Sequence, residues 1–278
     1  MPAEKIMTDE NRNIRSLKPG LKKRLIFYPV LYLLIGVFLF FRQRQMIYFP
    51  TALEPHSYGV EIIENEGETL LVTVLNPGKE KAIIYFGGNA EAVVYNAYVF
   101  QKTFANHTVY LFNYRGYSGS SGKPTEEGIF SDALRLYDTL QSRHRTISTV
   151  GRSLGSGVAA YLASRREIEK LVLVTPFDSI LAVAQRRIPV YPLRFMLLDP
   201  YNSLNRVKDI QAPTLVLMAE NDSIIPRKNS QRLINAFPEE QISVFTINGA
   251  GHNTISDDPA YHKYLKAFFV QGDDGSEL

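Results

Sequence analysis

Ile147-Ser148-Thr149-Val150-Gly151-Arg152-Ser153-Leu154-Gly155-Ser156-Gly157 begins as a β-prone run and passes through a turn. It continues as small residues with a helical pattern out to Arg165. Residues 151–155 read Gly-x-Ser-x-Gly, in the order strand, sharp turn, helix that lifts a serine hydroxyl above the end of a sheet. Glycine is needed on both sides because the serine sits in a strained conformation and neighbouring side chains would collide with the turn. The helix that starts after Ser153 aims free backbone N–H groups at the same spot, and the N–H of Leu154 is a candidate donor to an oxyanion. A glycine-rich turn with an idle surface serine has the same local sequence, so the meaning of Ser153 depends on what stands around it.

Upstream of the elbow, Val60–Glu64 and Thr69–Asn76 read as strands joined by a hairpin turn at Asn65-Glu66-Gly67-Glu68. Ala82–Phe86 and Thr108–Phe112 are short apolar runs suited to buried strands. A helical pattern follows each, over Glu91–Phe104 and Glu126–Ser142. Downstream, Lys170–Val174, Thr214–Ala219 and Gln241–Ile247 read as strands, with helices at Lys228–Ala236 and Pro259–Phe269. The alternation predicts an α/β fold with a mostly parallel central sheet and helices on both faces. Functional groups in such sheets gather beyond the carboxyl ends of the strands. Phe177–Gln211 breaks the rhythm with Pro189, Pro192, Pro200 and several apolar residues that read as exposed, including Tyr191, Phe195, Met196 and Leu197. It reads as a short helical, cap-like insertion (177–211) over the site.

The chain has 278 residues, 45% of them hydrophobic, a net charge of +3 and no cysteine. That length suits one large core, here 47–270. The missing cysteines exclude disulfides, thiolate zinc and a thiol nucleophile. Scattered basic residues give no nucleic-acid footprint, and the five histidines show no metal-binding spacing, so neither a metal nor a cofactor is expected. A basic tail (1–24) precedes Leu25–Phe41, a run of 17 residues without a charge, bracketed by Arg24 and Arg42. This reads as an uncleaved transmembrane anchor whose arginines snorkel to the interface. A signal peptide would be followed by small residues, not by Arg42-Gln43-Arg44-Gln45-Met46. The excess of positive charge before the span places the N-terminus in the cytoplasm and the main domain outside it. Ile47–Pro55 reads as an extended linker, and 271–278 as an acidic tail.

A serine needs a base, and the base an orienting acid. Around such an elbow the chain order is serine, acid, histidine. His252, in Gly249-Ala250-Gly251-His252-Asn253 after the last strand, stands where the base belongs, whereas His262 falls inside the last helical pattern. Asp222 is the favoured acid, with Asp178 in reserve. Glu220 lies two residues from Asp222, and Asp257 and Asp258 come after the histidine. A second oxyanion donor is expected in Gly87-Gly88-Asn89-Ala90, after the Ala82–Phe86 strand, and the N–H of Asn89 is the choice.

Five blocks in order, namely 86–90, 113–119 (Asn-Tyr-Arg-Gly-Tyr-Ser-Gly), 151–157, 220–226 (Glu-Asn-Asp-Ser-Ile-Ile-Pro) and 249–252, make the chain from Ile47 to Phe269 resemble the α/β-hydrolase superfamily. It looks more closely like membrane-anchored single-domain serine hydrolases related to the prolyl-oligopeptidase and serine-aminopeptidase branch. The resemblance implies Ser153 as nucleophile, Asp222 as acid, His252 as base, and Asn89 and Leu154 as oxyanion donors. Relatives commonly carry histidine where this chain has Gly87, a departure that bears on the oxyanion loop and on substrate class. Eukaryotic relatives include protein depalmitoylases, but many bacterial ones have no settled substrate, so the resemblance implies a reaction class and not a substrate. The expectation is a serine hydrolase of an ester or thioester with a hydrophobic, lipid-like acyl group, walled by the 177–211 insertion. A serine peptidase of the same fold and a catalytically silent scaffold are the alternatives.

Overall fold

The computed structural model describes residues 19–270, so the expected acidic tail and most of the basic tail lie outside the described residues. The chain divides into two compact units, Met1–Gln43 and Arg44–Leu278. Helix α1 (Pro19–Ile47) fills the described part of the first unit and continues into the second. It extends beyond the apolar run at both ends. Leu25, Phe27, Tyr28, Leu33, Leu34, Phe38 and Phe41 are all exposed, so this helix is apolar around its circumference without a protein core to cover it. It is long and apolar enough to cross a membrane, by length and composition.

The second unit is built on an eight-stranded sheet. β1 (Gly59–Asn65) and β2 (Glu68–Leu75) form the expected hairpin. Glu66 and Gly67 take positive φ at its turn, the backbone that a two-residue hairpin demands. β3 (Lys81–Phe86), β4 (His107–Phe112), β5 (Thr146–Arg152), β6 (Leu171–Val174), β7 (Thr214–Asn221) and β8 (Ile242–Gly251) complete the order β1-β2-β4-β3-β5-β6-β7-β8. From β4 to β8 every pairing is parallel, and only the hairpin runs antiparallel to its neighbours. β4 and β6 are buried at every residue, as strands covered on both faces must be. Alternate residues feed two cores. Ile84 and Phe86 pack with helices α3 (Glu126–Leu140) and α4 (Leu154–Ala163) on one face, and Ile83 and Tyr85 with α2 (Ala97–Thr103) and α7 (Pro259–Val270) on the other.

Three expectations are corrected. The helix read over Glu91–Phe104 is a 3-10 turn at Val93–Asn96 and a short α2, because the Glu91 carboxylate turns back to accept the Gly88 N–H at 2.6 Å. The stretch read as a linker from Ile47 is pinned to the domain by Tyr48, only 3% exposed, while Phe49 and Leu53 stay open to solvent. In the insertion, α5 (Ile180–Arg187) and 3-10 turns at Leu193–Phe195 and Leu204–Asp209 are helical as expected. Tyr191, read as exposed, is buried there, while Phe195 is open to solvent. Helix α6 (Arg227–Ile234) follows β7.

Two strand registers position the site. Phe86 pairs with Gly151, which sets the Gly87–Ala90 strip beside Ser153 across the point where strand order reverses. Asn221 pairs with Gly251 after an irregularity in β7, which sets Asp222 beside His252.

Candidate active site

Ser153 ends β5 and caps α4 at φ 50°, ψ −115°, a region that L residues rarely occupy. The turn closes only because its neighbours lack side chains. A Cβ at Gly151 would lie 2.2 Å from the Gly155 carbonyl oxygen, and one at Gly155 would lie 2.0 Å from that of Phe86.

His252 Nε2 lies 2.8 Å from Ser153 Oγ, and His252 Nδ1 lies 2.8 Å from Asp222 Oδ2. The other carboxylate oxygen, Asp222 Oδ1, accepts the backbone N–H groups of Ile224 at 2.9 Å and Ile225 at 2.7 Å. A carboxylate held this way accepts only, so it favours a proton on Nδ1 and leaves Nε2 free to accept the serine proton. His252 is itself buried. The structure therefore brings Ser153, His252 and Asp222 into one hydrogen-bonded chain. This arrangement can generate a serine nucleophile and later return the proton to a leaving group.

The other acids are used elsewhere. Asp178 is buried, accepts the N–H of Ser179 and the amide of Asn229 through Oδ1, and pairs with Arg232 at 3.0 Å. Glu220 accepts the Gly249 N–H at 2.7 Å and so steadies the histidine loop. Asp258 accepts the Ala260 N–H at the start of α7, and Asp257 lies at the rim of the cleft. His262 Nε2 faces the Ser256 carbonyl.

A Cβ at Gly88 would lie 3.7 Å from Ser153 Cβ, so the glycine strip runs directly alongside the serine. Among the described residues, the backbone N–H groups of Asn89 and Leu154 make no hydrogen bond, whereas the N–H of Gly88 is taken by Glu91. Gly87, the departure from the family pattern, has a local cause. Any Cβ there would meet Val93 Cγ1 at 2.5 Å.

Two side chains that brace the candidate site escaped the sequence reading. Glu91 accepts from Gly88 N, from Tyr85 Oη and from Asn96 Nδ2, each at 2.6 Å. Burial foremost, and the Glu91 charge beside it, raise the Tyr85 phenol well above its usual value and keep it a donor. Arg152 donates to the carbonyls of Asn253 at 2.9 Å and His252 at 3.4 Å. An acid three residues past Gly88, before an apolar run, and a charge inside the elbow were the available signals. The cleft beside Ser153 holds about 560 Å³ and is lined by Thr51, Glu54, Asn89, Tyr95, His252 and Asp257 among others. No residue of the 177–211 insertion lines it, so the expected wall is not part of this cleft. Among the described residues no group of three potential ligands is disposed to hold a metal ion.

An elbow serine on a doubly covered, mostly parallel sheet defines the class, and the chain belongs to the α/β-hydrolase superfamily. The family model described as alpha/beta hydrolase fold matches residues 81–198, and that of serine aminopeptidase, S33, residues 183–259. An uncharacterised protein of Mycobacterium tuberculosis (strain H37Rv) is 34% identical over 78% of this chain and 83% of its own length. Alpha/beta hydrolase domain-containing protein 17C of Xenopus tropicalis is 26% identical over 69% of this chain and 63% of its own. Among solved structures, the Pyrococcus furiosus esterase Pf2001 superposes with a TM-score of 0.64 at 18% identity, over 80% of this chain and 98% of that one. Est1E of Butyrivibrio proteoclasticus, solved with ferulic acid bound, gives 0.65 at 17% identity, over 77% and 99%. At these identities the structural likenesses speak for the fold.

Proposed function

We propose that this protein is a serine hydrolase that cleaves an ester or thioester through an acyl-enzyme. The observation that carries the reading is the unbroken pair of 2.8 Å hydrogen bonds from Ser153 through His252 to Asp222. Ser153 Oγ attacks the acyl carbonyl as its proton passes to His252 Nε2. The N–H groups of Leu154 and Asn89 receive the oxyanion. Collapse expels the alcohol or thiol, which leaves with the proton from His252. Water then attacks the acyl-enzyme with the same imidazole as base, and the acid is released. Asp222 holds the ring and stabilises its charged form. The polar lining of the cleft favours a compact acyl group over the hydrophobic, lipid-like one expected from the insertion. Helix α1 supports the further reading of a single-pass anchor, and the excess of positive charge before the span favours a cytoplasmic N-terminus and an extracytoplasmic catalytic domain.

The match to the serine aminopeptidase model favours a second reading, hydrolysis of a peptide bond through the same groups. The full chain in detergent micelles, treated with a fluorophosphonate and assayed on p-nitrophenyl esters and aminoacyl anilides, tests both. Labelling and ester turnover that vanish together in Ser153→Ala are the expected result. Preferential turnover of the anilides would replace the first reading by the second. A wild type that neither labels nor turns over any substrate would leave a silent scaffold in their place.

A further inference from the structure

The chain leaves α1 at Ile47 and at once crosses the oxyanion strip. Asn89 grips it there from one side chain. Its Nδ2 donates to the Ile47 carbonyl at 2.6 Å, and its Oδ1 accepts the Phe49 N–H at 2.9 Å. The amide thus pairs with one residue on each side of Tyr48, as a neighbouring strand would. Tyr117 closes the arrangement. Its hydroxyl donates to Asn89 Oδ1 at 2.9 Å and accepts the Phe49 N–H at 2.9 Å. Burial holds that phenol above its ordinary value, so it remains a donor.

The grip also reaches the backbone of the strip. Asn89 Oδ1 accepts the N–H of Ala90 at 3.1 Å, and Ala90 is held at φ 59°, a conformation disfavoured for a residue with a Cβ. The side chain that binds the stem therefore also fixes the turn that aims the peptide N–H of Asn89. The stem is secured independently. The Tyr48 and Tyr201 hydroxyls lie 3.1 Å apart and buried, and Arg44 Nε lies 2.8 Å from the buried Asp199 carboxylate. Ser118 donates its N–H to the Thr51 carbonyl at 2.8 Å. Arg44 and all that follows belong to the same compact unit as Asn89.

We propose that the side chain of Asn89 is a positioning group that makes the stem Ile47–Phe49 a structural part of the oxyanion hole, so that the seating of the anchor's end sets the rate of the chemical step. The proposal rests on the serine-hydrolase reading above. A side chain with this duty acts on the charge that develops in the transition state and not on ground-state binding.

The test compares wild type, Asn89→Ala, Asn89→Asp, Tyr117→Phe and Tyr48→Phe, each as full chain in the same micelles. kcat and KM are measured on a p-nitrophenyl ester, with the affinity for an aryl trifluoromethyl ketone, whose serine adduct carries an oxyanion. Asn89→Ala is expected to lower kcat about 10- to 100-fold at unchanged KM and to weaken the ketone by a matching factor. Tyr117→Phe moves both in the same direction by several-fold. Asn89→Asp keeps the acceptor but loses the donor to Ile47, and falls between wild type and Asn89→Ala. Tyr48→Phe spares the Asn89 contacts but frees the stem from the Tyr201 hydroxyl, and is expected to lower kcat and ketone affinity together by several-fold at unchanged KM. Variants that lower thermal stability while kcat and ketone affinity hold would overturn the proposal and leave Asn89 a structural residue. If Asn89→Ala does not fold, Tyr117→Phe decides, and an unchanged kcat there sinks the idea. A wild type inert to both ester and ketone removes the hydrolase reading and this proposal with it. An active wild type with indifferent variants removes the proposal alone.

Discussion

Glu91 and Arg152 face each other at 3.8 Å behind the cleft, and each holds a different wall of it. Glu91 fastens the glycine strip through Gly88, and Arg152 fastens the histidine loop through the carbonyls of His252 and Asn253. One mostly buried ion pair thus ties the loop after β3 to the loop after β8. Removing one member leaves the other unpaired, the costly way to break such a pair.

Glu91→Gln is therefore expected to lower stability by about 2 kcal/mol, read as a shift of the urea midpoint. Its amide can satisfy only part of what the carboxylate accepts from Gly88, Tyr85 and Asn96. Arg152→Lys keeps the charge but loses the fork that spans two carbonyls. Its kcat should fall about 10-fold with folding nearly unchanged, because the imidazole loses its fixed seat.

The two aspartates after β6 and β7 should separate cleanly. Asp222→Asn is expected to cut kcat by about 10³- to 10⁴-fold with little loss of stability, since an amide favours the wrong imidazole tautomer. Asp178→Asn leaves Arg232 without its partner, so it should cost stability, about 1–3 kcal/mol by denaturant titration, while kcat stays within about two-fold. A large kcat loss in the second variant would transfer the acid role to Asp178.

Restoring the histidine that relatives carry at the strip should harm this chain. Gly87→His drives a Cβ into Val93 Cγ1 and is expected to destabilise by at least about 2 kcal/mol. Gly87→His with Val93→Ala should recover part of that loss. A thermal melt of the single and double variants reads the difference directly.

The cleft predicts which surface residues matter to substrate. Tyr95 lines it and is largely exposed, so Tyr95→Ala should raise KM several-fold on p-nitrophenyl acetate at constant kcat. Phe195, exposed on the insertion and absent from the lining, should give a Phe195→Ser variant with unchanged constants. A loss in Phe195→Ser alone would return the insertion to the role expected of it from sequence.

The sheet was legible because its strands are apolar runs of β length, and the elbow because two glycines flank Ser153 where no side chain fits. His252 and Asp222 were legible from order alone, and the Asn221–Gly251 register explains why order sufficed. What sequence hid was made of long-range pairing. Nothing near Asn89 announces that it will hold Ile47 and Phe49, forty residues away. Glu91 sits in what reads as a helix start until its carboxylate turns back on Gly88. The insertion misled because Phe195, Met196 and Leu197 are apolar whichever way they point.

The φ of Ser153 makes activity and durability opposing demands at one atom. A backbone at φ 50°, ψ −115° costs the native state about 1–3 kcal/mol, a burden glycine would not carry. Part of that relief is offset by the looser unfolded chain that glycine brings. On the proposed reading Ser153→Gly should accordingly be an inactive protein that melts above its parent, and a calorimeter would register the strain at Ser153 as a gain in melting temperature. Where the proposed reaction holds, selection for heat resistance alone would then favour variants that have given it up.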